Sequence, residues 1–244
     1  RGPRLGARPE IAGATQYMLV NTSDIRAVSM TTKAVMDVAW GGVPTGAANP
    51  PQQYYKDWAT SEFGEKSAAP LAKVYEEYFK APAFLPNSQD EYGDQIYHSD
   101  ARQILLSYMD SPPYYAIPGQ SPKWTPVRII GINADPQSHR DIGPDYLDKT
   151  IPQQIAQCGE AQPRWDAVWK DALAAESSVE PARRPYYEYE MLTMIAINRD
   201  SNHMLYLVAK AVQDARHGDK AGARHEADQA LADLAEIHRY EAKS

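Results

Sequence analysis

The residues best suited to chemistry lie in the segment Asn21-Thr22-Ser23-Asp24-Ile25-Arg26-Ala27-Val28, which directly follows the apolar run Tyr17-Met18-Leu19-Val20. Asn21 offers a donor and an acceptor, Asp24 offers acceptor oxygens, and Arg26 offers a planar fork that suits a carboxylate. The carboxyl end of a buried strand is where α/β enzymes present ligand-contacting groups. The segment therefore predicts one wall of a binding site, although the same residue types also form ordinary turns. We call it the strand-end cluster.

The elements that must position this cluster are a strand before it and a helix after it. Residues 16–20 read as a short buried strand, because they are apolar without polar alternation. Thr31 or Thr32 is expected to cap a helix that runs to about Trp40, with Val35, Met36, Ala39 and Trp40 on its apolar face. A single strand-loop-helix unit cannot form a sheet, so this strand needs neighbouring strands.

The rest of the chain is predicted to be mostly helical. Gly64 is expected to divide a helical region at 51–78, another helix falls within 90–110, and the stretch 111–163 reads as a long Pro-rich loop with one short helix near 146–156. An antiparallel helical bundle is expected from the segments that follow, which are 165–176, 185–216 and the helix after Gly218.

Composition excludes several classes of protein. The 244 residues carry a net charge of −7, which argues against nucleic acid or an anionic membrane as the main partner. Cys158 is the only cysteine, so no internal disulfide can form. The 16 Tyr and 5 Trp against 3 Phe provide rings that can stack on sugars or pack half-buried between helices.

Other catalytic motifs are missing from the sequence. His225 is followed four residues later by Gln229 instead of a second histidine, so the zinc-protease motif is absent. Cys158 reads as a loop residue without a neighbouring base, and no Gly-x-Ser-x-Gly motif or Gly-rich phosphate loop occurs. Glu188 and Glu190 are explained by the preference of acidic residues for the first turns of a helix. We therefore expect no metal and no cofactor.

The strand-end cluster also carries a family resemblance. The stretch 17–26, followed by Thr31-Thr32-Lys33-Ala34-Val35-Met36 and Trp40, resembles glycoside hydrolase family 115. In that family a pattern like V-N-x-S/G-D-[ILV]-[RK] closes a late strand of a catalytic (β/α)8 barrel. The regions around Trp58, Phe63-Gly64, Tyr97-His98 and Tyr186-Tyr187-Glu188 look like the helical domain that follows the barrel.

The resemblance implies a fold and a domain organisation. The chain would be mostly α, with residues 1–45 as the last strand-loop-helix part of the barrel and residues 46–244 as the helical domain. The catalytic acid and base are expected on earlier barrel strands, and no residue here is assigned to them. The chain would thus be a middle-to-late piece of a longer enzyme.

The resemblance also implies a function. Family members are xylan α-1,2-glucuronidases that release (4-O-methyl)glucuronic acid by inverting hydrolysis. Asn21, Asp24 and Arg26 would contact the uronic acid, and Tyr97 and His98 would lie at the rim of the substrate site.

Partners and location follow from the same resemblance. The expected partners are glucuronoxylan or its oligosaccharides and the remainder of the same enzyme, with a homodimer compatible with the sequence, and the expected location is secreted or periplasmic. Two alternatives stay open, which are a non-catalytic helical interaction domain and a carbohydrate-binding module that uses rings such as Trp124.

Overall fold

The computed structural model describes residues 29–41, 50–83, 96–109 and 146–242, which are helical almost throughout and contain no strand. The prediction of a mostly helical fold is therefore confirmed for these residues. The predicted strand at 16–20, and with it the barrel part of the fold, lies outside the described residues. None of the described helices is long and apolar enough to cross a membrane.

Eight α-helices occur within the described ranges. They are α1 (Ser29–Gly41), α2 (Pro50–Phe63), α3 (Ala68–Tyr78), α4 (Ile96–Met109), α5 (Tyr146–Ala175), α6 (Arg184–Tyr187), α7 (Met194–Arg216) and α8 (Lys220–Glu241). A π-helical segment, Glu188–Thr193, joins α6 to α7, so the helical run predicted from about Pro185 to 216 is continuous.

The chain divides into two compact units. Among the described residues, the first contains 29–41, 50–81 and 164–196, and the second contains 82–83, 96–109, 146–163 and 197–242. Helices α1 and α2 both belong to the first unit. The domain boundary predicted near residue 45 lies between them, outside the described residues, and stays a prediction.

Helix α1 buries a different face from the one that the sequence predicts. Met30, Ala34 and Val38 are buried, whereas Met36 is 61% and Trp40 is 97% exposed in the described structure. Apolar residues occupy most positions of this helix, so its periodicity cannot select one stripe, and packing within the first unit selects the 30/34/38 stripe. The helix also begins at Ser29, two or three residues before the predicted cap at Thr31 or Thr32.

Gly64 separates α2 from the short 3₁₀ turn Glu65–Ser67 that leads into α3, as the sequence predicts. Its φ of 102° and ψ of 160° fall in a region that is open to glycine and strained for every other residue. A later segment of this unit packs against the junction between α2 and α3. There the backbone N–H of Glu180 donates to the carbonyl of Phe63 at 3.0 Å. A Cβ atom at Gly64 would lie 2.5 Å from Cγ of Glu180.

The short helix predicted near 146–156 is present, but it continues to Ala175 as α5, so the Pro-rich loop predicted at about 111–163 is wrong for residues 157–163. Pro152 and Pro163 lie inside this helix with their side chains exposed. Each proline removes one backbone hydrogen bond from the helix. Burial of a continuous stripe of side chains on the opposite face offsets this loss of stability. That stripe alternates by three and four residues through Ile151, Gln154, Cys158, Ala161, Trp165, Val168, Ala172 and Ala175.

A glycine series tests the chain reversal at Gly64. Gly64→Ala should lower the free energy of unfolding by roughly 1–3 kcal/mol through backbone strain, with an additional loss from crowding Glu180. Gly218 has a φ of 84° but open space around its Cβ position, so Gly218→Ala should lose only the strain, about 1–2 kcal/mol. Gly41→Ala, which has neither feature, is the control. Urea unfolding of the three variants should give this order, and equal losses at 64 and 41 would contradict it.

Candidate functional site

The residues of the strand-end cluster, Asn21, Asp24 and Arg26, lie outside the described residues. Tyr97 and His98 lie in the first turn of α4, in the second unit. Tyr97 is buried, with 3% of its surface exposed, and the side chain of His98 lies outside the described part of the structure. The substrate-contacting role of these five residues therefore stays a prediction.

The described residues form a different candidate site in the first unit, which we call the Glu190 cleft. Its lining consists of Met30 and Thr31 from α1, Tyr75 and Tyr78 from α3, Phe79, and Glu190, Met191 and Met194 from the later helical run. The cleft has a volume of about 120 Å³. Four of these residues are buried and four are half-buried, so the cleft is a pocket with a partly solvent-facing mouth in the described structure.

Glu190 binds the beginning of α1. Its carboxylate accepts a hydrogen bond from the backbone N–H of Met30 and another from the hydroxyl of Ser29. The first N–H groups of a helix have no partner within the helix, and the helix dipole favours a negative charge beside them. Glu190 thus caps a helix from another part of the chain. Ser29 is the residue that directly follows the strand-end cluster in the sequence.

The environment of Glu190 makes its carboxyl group hard to ionise. Only 8% of the residue is exposed, and burial raises its pKa to about 7. The hydrogen bonds from Met30 and Ser29 oppose this shift, while the charge of Glu62 adds to it. At neutral pH, Glu190 therefore exchanges between its neutral and charged forms, a property that is frequent in functional sites.

Aromatic residues hold the wall of the cleft opposite α1. The indole N–H of Trp58 donates to the hydroxyl of Tyr75 at 2.8 Å, and burial raises the pKa of that phenol well above its usual value, with a further contribution from the charge of Glu190. Tyr78 meets Phe79 edge to face with 5.3 Å between ring centroids, and it meets Trp165 in the same way at 5.6 Å. These contacts leave the wall little freedom to rearrange.

Glu190 itself sits in the π-helical segment Glu188–Thr193. Such segments are rare, and they occur frequently at functional sites because they redirect side chains from the regular helical positions. The segment is anchored just before it, where the Tyr187 hydroxyl donates to the carbonyl of Ala172 at 2.9 Å. Phe63 packs between Tyr186 and Tyr187, at centroid distances of 5.5 Å and 5.4 Å.

The second unit contains a buried chain of polar side chains. The amide of Gln154 donates to the carboxylate of Asp100, and the thiol of Cys158 lies 3.8 Å from Oε1 of Gln154. The amide of Asn202 donates to the carbonyl of Cys158 at 3.0 Å and to Oε1 of Gln162 at 2.8 Å. These contacts connect α4, α5 and α7 inside the unit, so we interpret them as structural.

Cys158 is placed in α5, which corrects the prediction that it lies in a loop. It is fully buried, and burial raises its pKa to about 12, with a contribution from the charge of Asp100. The thiol therefore stays protonated at neutral pH, which removes its value as a nucleophile. Within the described ranges, no group of three or more His, Cys, Asp or Glu side chains is arranged to hold a metal ion.

Sequence reasoning missed Glu190 because helix-dipole preference was accepted as its full explanation. A signal was present, since Glu190 lies three residues after Tyr187 and four before Met194, on a stripe that is otherwise apolar. A carboxylate on an apolar stripe must be buried against donors or displaced to solvent. Its partner, however, is the start of a helix far earlier in the chain, and no local pattern reveals that pairing.

Comparison with known families connects part of the chain to a family of carbohydrate-active enzymes. Residues 10–85 match the model of glycosyl hydrolase family 115. The match contains the strand-end cluster and α1 to α3, so the resemblance predicted for the cluster and the following helix is confirmed over these residues. Comparison with curated proteins and with solved structures found no match.

The boundary of the match runs through the Glu190 cleft. Five lining residues lie within residues 10–85, namely Met30, Thr31, Tyr75, Tyr78 and Phe79. The remaining three, Glu190, Met191 and Met194, lie outside it. The family-like segment thus provides part of a cleft whose ionisable group comes from later in the chain.

The raised pKa of Glu190 predicts a pH dependence of stability. The folded-state pKa is about 7 and the ordinary value is 4.5, so the folded protein holds a proton that the unfolded chain releases between these values. The stabilisation of the folded protein by this proton is complete below pH 4.5 and is lost as the pH rises through 7. Between pH 4.5 and 7 the free energy of unfolding of the wild-type protein should fall by up to about 1.4 kcal/mol per pH unit relative to that of Glu190→Gln.

Urea unfolding at several pH values between 4 and 8 measures this difference. Glu65→Gln, which changes an exposed glutamate of the same unit, is the matched control and should follow the wild-type curve. Parallel curves for wild type and Glu190→Gln would show that Glu190 titrates alike in the folded and unfolded states.

Proposed function

We propose that this chain forms part of a glycoside hydrolase that removes (4-O-methyl)glucuronic acid from glucuronoxylan. The observation that carries the proposal is the match of residues 10–85 to glycosyl hydrolase family 115, because it contains the strand-end cluster. In this proposal Asn21 and Asp24 hydrogen-bond the uronic acid. Arg26 pairs with its carboxylate, for which a guanidinium has matching geometry.

The helical part supports the site by fixing the backbone that leads out of the cluster. The hydrogen bonds from Ser29 and Met30 to Glu190 fix the residues that follow Val28. A sugar-contacting loop needs such support, because small displacements of binding groups lower turnover strongly. The helical units would therefore serve the hydrolase as a scaffold for one wall of the pocket.

The chemistry of the proposed reaction needs two carboxyl groups on opposite sides of the scissile bond. One protonates the leaving oxygen, and the other activates a water molecule that attacks the anomeric carbon with inversion. We assign neither group to a residue of this chain. The remainder of the enzyme, a glucuronoxylan chain and a secreted or periplasmic location belong to the same proposal.

Substitution of Asn21 tests the proposal in the full-length protein. Asn21→Ala should reduce release of glucuronic acid from glucuronoxylan by about 100-fold or more, because several hydrogen bonds to the sugar would be lost, each worth about 1–3 kcal/mol. Uronic acid release, quantified by chromatography, is the measurement. Gln229→Ala, which removes an exposed amide from α8, is the control and should leave the rate unchanged.

Thermal unfolding of both variants separates lost chemistry from lost structure. The proposal expects the melting temperature of Asn21→Ala to stay close to that of wild type. Unchanged release by Asn21→Ala would remove this residue from the site. A full-length protein that releases no uronic acid from any glucuronoxylan fragment would contradict the hydrolase itself and favour a non-catalytic helical domain.

A further inference from the structure

We propose that the Glu190 cleft binds an uncharged pyranose ring, with the carboxyl group of Glu190 accepting a hydrogen bond from a ring hydroxyl. The identity of the ligand rests on the proposed function, in which the uncharged sugars are the xylosyl units of the backbone. The site itself rests on four features of the first unit, which are a free carboxylate oxygen, the local charge, the apolar wall and the size of the cleft.

The first feature is an acceptor without a donor. Oε2 of Glu190 is buried and has no hydrogen-bond partner among the described residues. The hydrogen bonds from Met30 and Ser29 are therefore accepted by the other carboxylate oxygen, Oε1. A buried carboxylate oxygen that stays unpaired is costly, so such an atom lining a cleft indicates a donor that arrives with a ligand.

The second feature is the sign of the local charge. Glu62 lies close enough to raise the pKa of Glu190 further, and no lysine or arginine is among the described residues that line the cleft. A uronic acid would bring a third carboxylate into this environment without a cation to balance it. A neutral sugar brings hydroxyl donors and no charge, so the cleft favours the backbone over the uronic acid side group.

The third feature is the apolar wall. Tyr78, Phe79, Met191 and Met194 present ring and thioether surfaces beside Glu190. A pyranose ring has C–H faces that pack on aromatic surfaces and hydroxyl edges that need polar partners. One carboxylate beside a largely apolar wall provides both kinds of contact.

The fourth feature is the size of the cleft, which limits the ligand. Sites for drug-sized molecules have volumes of roughly 300–1,000 Å³, whereas the Glu190 cleft holds about 120 Å³. The cleft therefore receives part of one ring, presented beside its half-buried lining residues, which are Thr31, Tyr78, Phe79 and Met194. It would fix one unit of a longer chain and would bind a free monosaccharide weakly.

Titration of the full-length protein with xylotriose tests the proposal. Glu190→Gln keeps an amide oxygen that can accept from Met30 and Ser29, but it loses the charged acceptor. Xylotriose affinity should fall about tenfold or more, as expected for a hydrogen bond to a charged group. Calorimetry, or saturation-transfer nuclear magnetic resonance for weak binding, gives the fold-change.

A second variant leaves Glu190 in place. Thr31→Phe puts a ring at the mouth of the cleft and should reduce xylotriose binding to a similar extent. Thr60→Phe, an exposed position of α2 outside the cleft, is its matched control and should bind as wild type does. Urea unfolding confirms that each variant is folded before its affinity is compared.

The outcomes separate this inference from the proposed function. Xylotriose binding that is unchanged in both Glu190→Gln and Thr31→Phe overturns the inference, while uronic acid release by the wild-type protein still supports the hydrolase. Binding of free glucuronate that is lost in both variants also overturns it, because the cleft would then select the charged sugar. Xylotriose binding that depends on both residues supports the cleft, including in a protein without hydrolase activity.

Discussion

The first unit depends on one buried carboxylate that begins a helix from another part of the chain. Burying the charge of Glu190 is unfavourable, and three contributions offset it, namely the N–H of Met30, the hydroxyl of Ser29 and the dipole of α1. The same bonds stabilise the start of α1. The environment therefore balances the two protonation states near neutral pH, which a fully compensated or fully desolvated carboxylate would not do.

The tertiary structure keeps this balance by making the position of Glu190 rigid. Phe63 lies against Tyr186 and Tyr187, and the Tyr187 hydroxyl is bonded to the backbone of α5. The π-helical segment then turns Glu190 toward α1. Gly64 contributes at the other end of α2, because its unusual backbone lets Glu180 close over Phe63. Each contact joins segments that are distant in sequence, so the site forms only when the whole unit is folded.

Sequence patterns predicted the helices well where an unambiguous signal marked them. Gly64 and Gly218 end helices as expected, and both have positive φ values. Prediction failed where two local rules competed. In α5, the rule that proline ends helices opposed a long buried stripe of alternating three and four spacing, and burial over many turns outweighed two missing hydrogen bonds. In α1, too many apolar residues left the buried face undetermined until its neighbours were known.

The candidate site was partly predictable for the same physical reason. The strand-end cluster could be found because its residue types and order are local, and the family match at residues 10–85 contains it. The Glu190 cleft could not be found that way, since its donors and its acceptor come from distant segments that meet only through packing. The segment that matches the family model ends at residue 85, so it does not contain Glu190, the carboxylate of the cleft. Whatever specificity Glu190 adds therefore comes from the helical run after α5.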